Sequence, residues 1–235
     1  MGNESGDLDS VVSSLVYAYL LQTMATGNAP VIPVLNFLAK ELPFKTEVVL
    51  TDHHVMPSHT AALRSSVVEV VDHHPQDPAW VWPPETTTLQ KVGSCCTLVA
   101  KKVLDQCPKI LDLQVASLLY GPIILDTACF NPTADKTTPL DLEMASELEK
   151  RGVDGSQKEQ LFAELTQARS DISTLTPAQL LVKDLKVTSG IPMPGFPILV
   201  QVTRFKVLPE STEIRGESRW SRNTFQYSNC LLSIK

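Results

Sequence analysis

The 235-residue sequence has no apolar run near the ~20 residues that a membrane-spanning helix needs. Its N-terminus has neither the basic nor the apolar region of a signal peptide, because an acidic loop follows almost at once. It has no C-x-x-C spacing. Its five cysteines (Cys95, Cys96, Cys107, Cys129, Cys230) are odd in number and include an adjacent pair, so neither a disulfide framework nor a zinc knuckle is indicated. The expectation is buried or free thiols in a reducing compartment, hence a cytoplasmic and also nuclear location. Excess positive charge is missing too. A net charge of −6 and a pI near 5.4 leave no electrostatic footprint for nucleic acid or an anionic membrane surface. Internal repeats are absent. An ordinary globular composition remains, long enough for one sizeable core or two small ones.

Histidine is scarce as well, and its placement is the strongest signal in the chain. All five histidines fall between positions 53 and 74, in EVVLTDHHVMPSHTAALRSSVVEVVDHH (47–74). The stretch holds two Asp-His-His tripeptides, Asp52-His53-His54 and Asp72-His73-His74, each ending a β-branched apolar run. An ordinary core has no use for such a cluster. A metal site does, since imidazole and carboxylate together bind divalent first-row metals, and strand ends at a sheet rim can aim them at one point.

The rest of the chain supplies partners for that cluster. Val11, Leu15, Tyr19 and Met24 are spaced for a helix with Ser10 as N-cap. Asp7 and Asp9 lie at its start, where they can cap the helix or hold a metal. VIPVLN (31–36) reads as a buried strand. EVVL, then a short helix opened by Ser58 and Thr60, then VVEVV make a β-α-β unit of a parallel sheet. Residues 75–91 read as a proline-rich surface excursion pinned by Trp80 and Trp82. Ser94 caps a helix whose N-terminus suits a phosphate oxygen or is simply a capped core helix. Asp126 interrupts the apolar run IILDTACF, where a carboxylate is costly to bury unless paired or metal-bound. Further helices are expected over 140–150, 156–168 and 176–186, the last opened by Thr176-Pro177. From Val187 a turn-rich segment, a strand ILVQVTRFKVL and a weakly patterned tail follow.

These residues predict an α/β fold, a mainly parallel sheet flanked by helices. The candidate metal ligands are Asp7, Asp9, Asp52, His73 and Asp126. One imidazole among several carboxylates favours Mn²⁺ or Mg²⁺ over zinc and fits a pair of ions. Two such ions activate a shared water and clamp the oxygens of an in-line displacement, which is phosphoanhydride or phosphodiester hydrolysis. His73 and His74 are the catalytic candidates, His74 as general acid or phosphate contact. Lys136 is a weaker candidate for contacting phosphate, because an exposed loop lysine is commoner.

Together the segments GNESGDLDS, PVLN…ELP, LTDHH, VVDHHP, VGSCCTLV, LLYGPIILDT and LTPAQLLVKD resemble the DHH phosphoesterase superfamily, most of all its prune-type exopolyphosphatases, across residues 2–186. The resemblance implies a parallel-sheet domain with two Mn²⁺ or Mg²⁺ ions. It implies substrates among short-chain polyphosphate, pyrophosphate and nucleotide phosphates, including cyclic nucleotides, and nucleoside diphosphate kinase as a partner. The first family motif, His-x-x-x-Asp-x-Asp, falls on Asn3, Asp7 and Asp9. Asn3 thus replaces a histidine and is a candidate substrate contact. The later motifs fall on Asp52, on Asp72-His73-His74 and on Asp126. Against the family pattern the first strand and an internal segment before Leu50 are missing, and the second domain is cut short. The expected organisation is an incomplete DHH domain over 1–152, a helical linker opening a truncated second domain over 153–186, and a divergent tail over 187–235. A truncated or alternatively spliced form that is catalytically impaired and acts by protein–protein interaction is the alternative to an enzyme.

Overall fold

The structure, a computed structural model, describes residues 1–3, 6–27, 29–34, 47–57, 60–171, 173, 185–188 and 191–194, the last two stretches as strand backbone. All belong to a compact unit, Met1–Gly195. Residues 176–184 of the helix expected over 176–186, the strand expected over 198–208 and most of the tail lie outside the described residues.

Helix α1 (Leu8–Met24) starts where the Asp7 carboxylate accepts the Ser10 N–H at 3.0 Å. Asp7, not Ser10, is therefore the cap. The buried face also differs from the expected one. Val12, Val16, Tyr17 and Leu20 are buried, while Leu15, Tyr19 and Met24 are exposed. Apolar residues line this helix on several sides, so spacing alone does not choose a face. The buried side also carries the small side chains of Ser10, Ser13 and Ser14, the last of them against β1. Ser14 Oγ meets Thr51 Oγ1 at 2.7 Å.

Strands β1 (Val48–Thr51), β2 (Val67–Asp72) and β3 (Thr87–Leu89) form a parallel sheet in the order β1-β2-β3. The crossover between β1 and β2 is a 3₁₀ stretch, Ala61–Ser66, rather than an α-helix. Residues 75–91 are more than a surface excursion, because they contain β3. Its three residues are too few to show a period. Val31–Val34 carries no strand, contrary to expectation, and positions 35 and 36 are outside the described residues. Pro30 and Pro33 have no N–H to give to a ladder. The Val34 carbonyl nevertheless accepts the Gly2 N–H at 2.9 Å. Met1 lies against β1: its ammonium donates to the Val49 carbonyl at 2.6 Å, and its carbonyl accepts the Thr51 N–H at 3.0 Å.

Helices α2 (Cys95–Gln106), α3 (Leu113–Asp126), α4 (Pro139–Glu149) and α5 (Lys158–Ser170) follow, as expected. Helix α3 runs straight through Gly121-Pro122, both buried, and ends at Asp126. The main core joins α1, α2, α3 and α4 through Leu20, Val99, Val103, Leu119, Ile123, Ile124, Met144 and Leu148, with Leu161 and Phe162 of α5 packed against it. A smaller cluster of Val48, Leu50, Met56, Val70 and Trp82 lies under the sheet. Full burial of such side chains contributes ~2 kcal/mol each, so the two clusters fix the strand ends on which the site depends. Where a helix was expected to reach Lys186, Leu185–Thr188 is a strand paired antiparallel with Ile191–Pro194 (β4 and β5). The described cysteines 95, 96, 107 and 129 are free thiols, as expected. Among the described residues no helix is long and apolar enough to cross a membrane.

Candidate metal centre

Asp52 and His73 follow β1 and β2, neighbouring parallel strands, so their side chains emerge at one rim of the sheet. The chain turns sharply there. Asp52 has φ +64°, a left-handed conformation that aspartate tolerates better than most residues, and its N–H is pinned to the Val71 carbonyl at 2.8 Å. Asp52 Oδ1 is buried and has no hydrogen-bond partner among the described residues. It lies 3.2 Å from His73 Nε2. The other carboxylate oxygen accepts the Asn3 side-chain N–H at 2.6 Å. The Asn3 amide oxygen accepts the Gly6 N–H, which fixes the orientation of the amide.

His73 is aimed by its other ring nitrogen. Nδ1 lies 3.0 Å from the Val92 carbonyl, which can only accept, so Nδ1 carries the proton and Nε2 is left to face Asp52. Asp9 Oδ2 is 3.7 Å from the same Nε2. Asp9 is buried and held by the N-terminus of α2. It accepts the Ser94 hydroxyl at 2.7 Å, the Cys95 N–H at 2.6 Å and the Cys96 N–H at 2.8 Å. That helix end therefore offers nothing to a phosphate oxygen, and the phosphate reading of Ser94 is replaced by a protein carboxylate in the same role.

Asp126 is the last residue of α3 and is half-buried. Its carboxyl is pushed up to about 8, first by burial and then by the Asp9 and Asp7 carboxylates. Asp52 is pushed up to about 7 by burial, opposed by the His73 imidazole and reinforced by Asp9 and Asp7. His73 itself rises to about 9: burial would lower it, but Asp52 and Asp9 outweigh that. No lysine or arginine pairs with Asp9, Asp52 or Asp126 among the described residues. Asp52 Oδ1 at 3.2 Å and Asp9 Oδ2 at 3.7 Å bring two carboxylates to one imidazole nitrogen, a donor set that a divalent cation would satisfy.

The distances fit one. Adjacent ligand atoms on an octahedral ion with bonds of ~2.1 Å sit ~3.0 Å apart, and Asp52 Oδ1 and His73 Nε2 are 3.2 Å apart. Ligand atoms of Asp52, His73 and His74 all lie within 4.8 Å of one another. His74, expected as a catalytic or phosphate contact, thus groups with Asp52 and His73.

The two Asp-His-His tripeptides have different tasks. Asp72 is fully buried and does not face the acidic group. It accepts His54 Nδ1 at 2.5 Å, His74 Nδ1 at 2.8 Å, and the N–H groups of His73 and His74 at 2.7 and 3.1 Å. Those donors hold its carboxyl well below the usual carboxylate range although burial opposes them. His54 is structural. Its Nε2 accepts the Asp77 N–H at 2.9 Å and its carbonyl the Trp82 Nε1–H at 2.8 Å, which fastens the tryptophan loop to the sheet. Trp80, Trp82 and the Arg64 guanidinium stack beside it. His53 gives its Nδ1–H to the Thr51 carbonyl and is lowered to about 4 by burial. His74 is half exposed and raised by its hydrogen bond to Asp72. Asn3 sits in the cluster as a donor to Asp52. Lys136 has an exposed side chain, and only its carbonyl packs toward the site, against Gly93.

Sequence reasoning missed the supports: the Val92 carbonyl and the Ser94–Cys96 cradle. Ser94 as an N-cap was legible. That a distant aspartate would fill the cradle was not.

A family model described as the N-terminal domain of the DHH family matches residues 1–123. The chain is 36% identical over 219 residues to exopolyphosphatase PRUNE1 of Mus musculus, which covers 79% of this chain and 48% of that protein. It is 28% identical to a manganese-dependent inorganic pyrophosphatase of Methanocaldococcus jannaschii, over 79% of this chain and 65% of the other. The chain spans about half the length of the mammalian relatives it matches. The crystal structure of a family II inorganic pyrophosphatase from Methanococcus jannaschii superposes with a TM-score of 0.55 at 23% identity, covering 79% of this chain and 66% of that one. That likeness supports the α/β fold with its parallel sheet.

Proposed function

The chain belongs to the DHH family, and from that premise we propose that it is a phosphohydrolase that cleaves phosphoanhydride bonds of short-chain polyphosphate or pyrophosphate with divalent cations. One observation carries the reading: a buried carboxylate oxygen of Asp52 without a hydrogen bond, 3.2 Å from a ring nitrogen of His73 that Val92 keeps pointed at it. Asp7, Asp9, Asp52, His73 and Asp126 would hold a pair of Mn²⁺ or Mg²⁺ ions, with His74 at the edge of the set. Bound there, the ions would activate water as nucleophile and offset the charge of the phosphate oxygens.

The chain's own residues supply the rest. The α2 N-terminus and Ser94 hold Asp9, and Asn3 holds Asp52, so neither carboxylate has to be reoriented when a cation arrives. Asp72 takes the Nδ1–H of His74 and makes its imidazole more basic. Nε2 of that half-exposed ring is then the atom from which a proton passes to the departing phosphate oxygen. The His73 and His74 rings meet edge to face with centroids 4.5 Å apart, so the proton donor stands directly beside the ligand.

Purified chain with Mn²⁺ should release phosphate from tripolyphosphate or pyrophosphate, and Asp52→Asn should lower the rate by at least ~100-fold. Binding of Mn²⁺ without any phosphate release would refute the hydrolase reading and leave an interaction role.

A further inference from the structure

Asp141 lies outside the metal cluster, in the first turn of α4, and is fully buried. A buried carboxylate is costly unless every oxygen is satisfied, and this one has five contacts. Oδ1 accepts the Gly93 N–H at 3.0 Å and the Thr97 hydroxyl at 2.6 Å. Oδ2 accepts the Gly93 N–H at 2.9 Å and both the N–H and the hydroxyl of Thr138 at 2.7 Å. Capping α4 would need only Thr138. The remaining contacts clamp Gly93 and Thr97, either side of the start of α2.

The residues around Gly93 are those that hold two of the candidate ligands, His73 and Asp9, in place. Val92, immediately before it, gives its carbonyl to His73 Nδ1. Ser94, Cys95 and Cys96, immediately after it, hold both oxygens of Asp9. The segment has no slack at its centre. A Cβ on Gly93 would come within 2.5 Å of Thr127 Cγ2, 2.8 Å of the Lys136 carbonyl and 3.1 Å of Asp141 Oδ2.

We propose that Asp141 is a positioning residue of the metal centre, orienting His73 and Asp9 through its bidentate hold on Gly93. It touches neither ion nor substrate. The assignment rests on the metal-site reading above, but part of its test is independent of metal. All four of its donors, the Gly93 N–H being shared between the two oxygens, face a group that can only accept. An amide in its place would turn an NH₂ against the Gly93 or Thr138 N–H. Asp141→Asn should therefore release the segment while leaving the shape of the helix start.

The control is Leu148→Ala, which opens a cavity in the main core about two turns further along the same helix and lowers stability. Two readouts compare the variants. In the metal-free chain, the His73 Nδ1 proton should give a slowly exchanging NMR resonance, kept in Leu148→Ala and lost in Asp141→Asn. In calorimetric titration with Mn²⁺ alone, Asp141→Asn should weaken binding ~10–100-fold, and Leu148→Ala should leave it unchanged. Thr97→Val removes a single donor at constant volume and should shift both readouts less, in the same direction; it replaces Asp141→Asn if that chain does not fold. A wild-type chain that binds no Mn²⁺ would sink the metal reading, and the resonance would still decide the positioning role. The proposal is overturned if Asp141→Asn, or Thr97→Val in its stead, keeps the resonance, or if Leu148→Ala loses it equally.

Discussion

Asp52 and Asp72 close neighbouring strands in the same tripeptide, and their surroundings give them opposite chemistry. Asp72 is ringed by donors and held ionised. Asp52 is buried with one oxygen unanswered and is pushed toward the neutral acid. The difference follows from what each can reach: two imidazole Nδ1–H groups and two backbone N–H groups around Asp72, but one amide N–H from Asn3, the His73 imidazole and the Asp9 and Asp7 carboxylates around Asp52. Removing the first should therefore damage the fold, and removing the second should damage only the site. Asp72→Ala leaves buried donors of His54 and His74 without an acceptor and should cost ~3 kcal/mol or more, read from urea unfolding of the metal-free chain. A loss below ~1 kcal/mol would show that Asp72 is not the anchor of these histidines.

At the scale of elements, the site is built from ends: the start of α1, the ends of β1 and β2, the start of α2 and the end of α3. The turn after Asp126 shows how tightly the last of these is set. Ala128, Cys129 and Phe130 all have positive φ, 52°, 57° and 58°, a run that side chains with a Cβ resist. It is held by the Cys129 N–H on the Ile124 carbonyl at 2.8 Å and the Phe130 N–H on the Thr127 hydroxyl at 3.3 Å. Glycine relieves that resistance, so Ala128→Gly should stabilise the chain by ~0.5–1 kcal/mol in thermal unfolding; a loss of similar size would show that the methyl group contributes packing that outweighs the strain. Much at this scale was legible in the sequence. The Ser94 and Pro139 helix starts and the parallel pairing of two β-branched runs follow from capping chemistry and patterning. The buried face of α1 was not legible, because apolar residues line that helix on several sides. Nor was β3, since three residues between prolines and a loop show no period. The pairing of Leu185–Thr188 with Ile191–Pro194 was hidden by a helix-like start at Thr176-Pro177.

For the molecule as a whole, residues far apart in sequence converge because the parallel sheet and the helices over it bring their ends to one rim. The ligand candidates could be named from residue type alone. Their supports could not, because a carbonyl such as Val92 and a clamp such as Asp141 have no signature until the fold brings them together. The central claim is that Asp52 and His73 share a divalent cation, and pulsed electron paramagnetic resonance of the Mn²⁺-loaded chain tests it most directly. The account predicts a directly coordinated ¹⁴N coupling that disappears in His73→Ala while the protein stays folded. A spectrum indistinguishable from aqueous Mn²⁺, or an unchanged nitrogen coupling in His73→Ala, would contradict it.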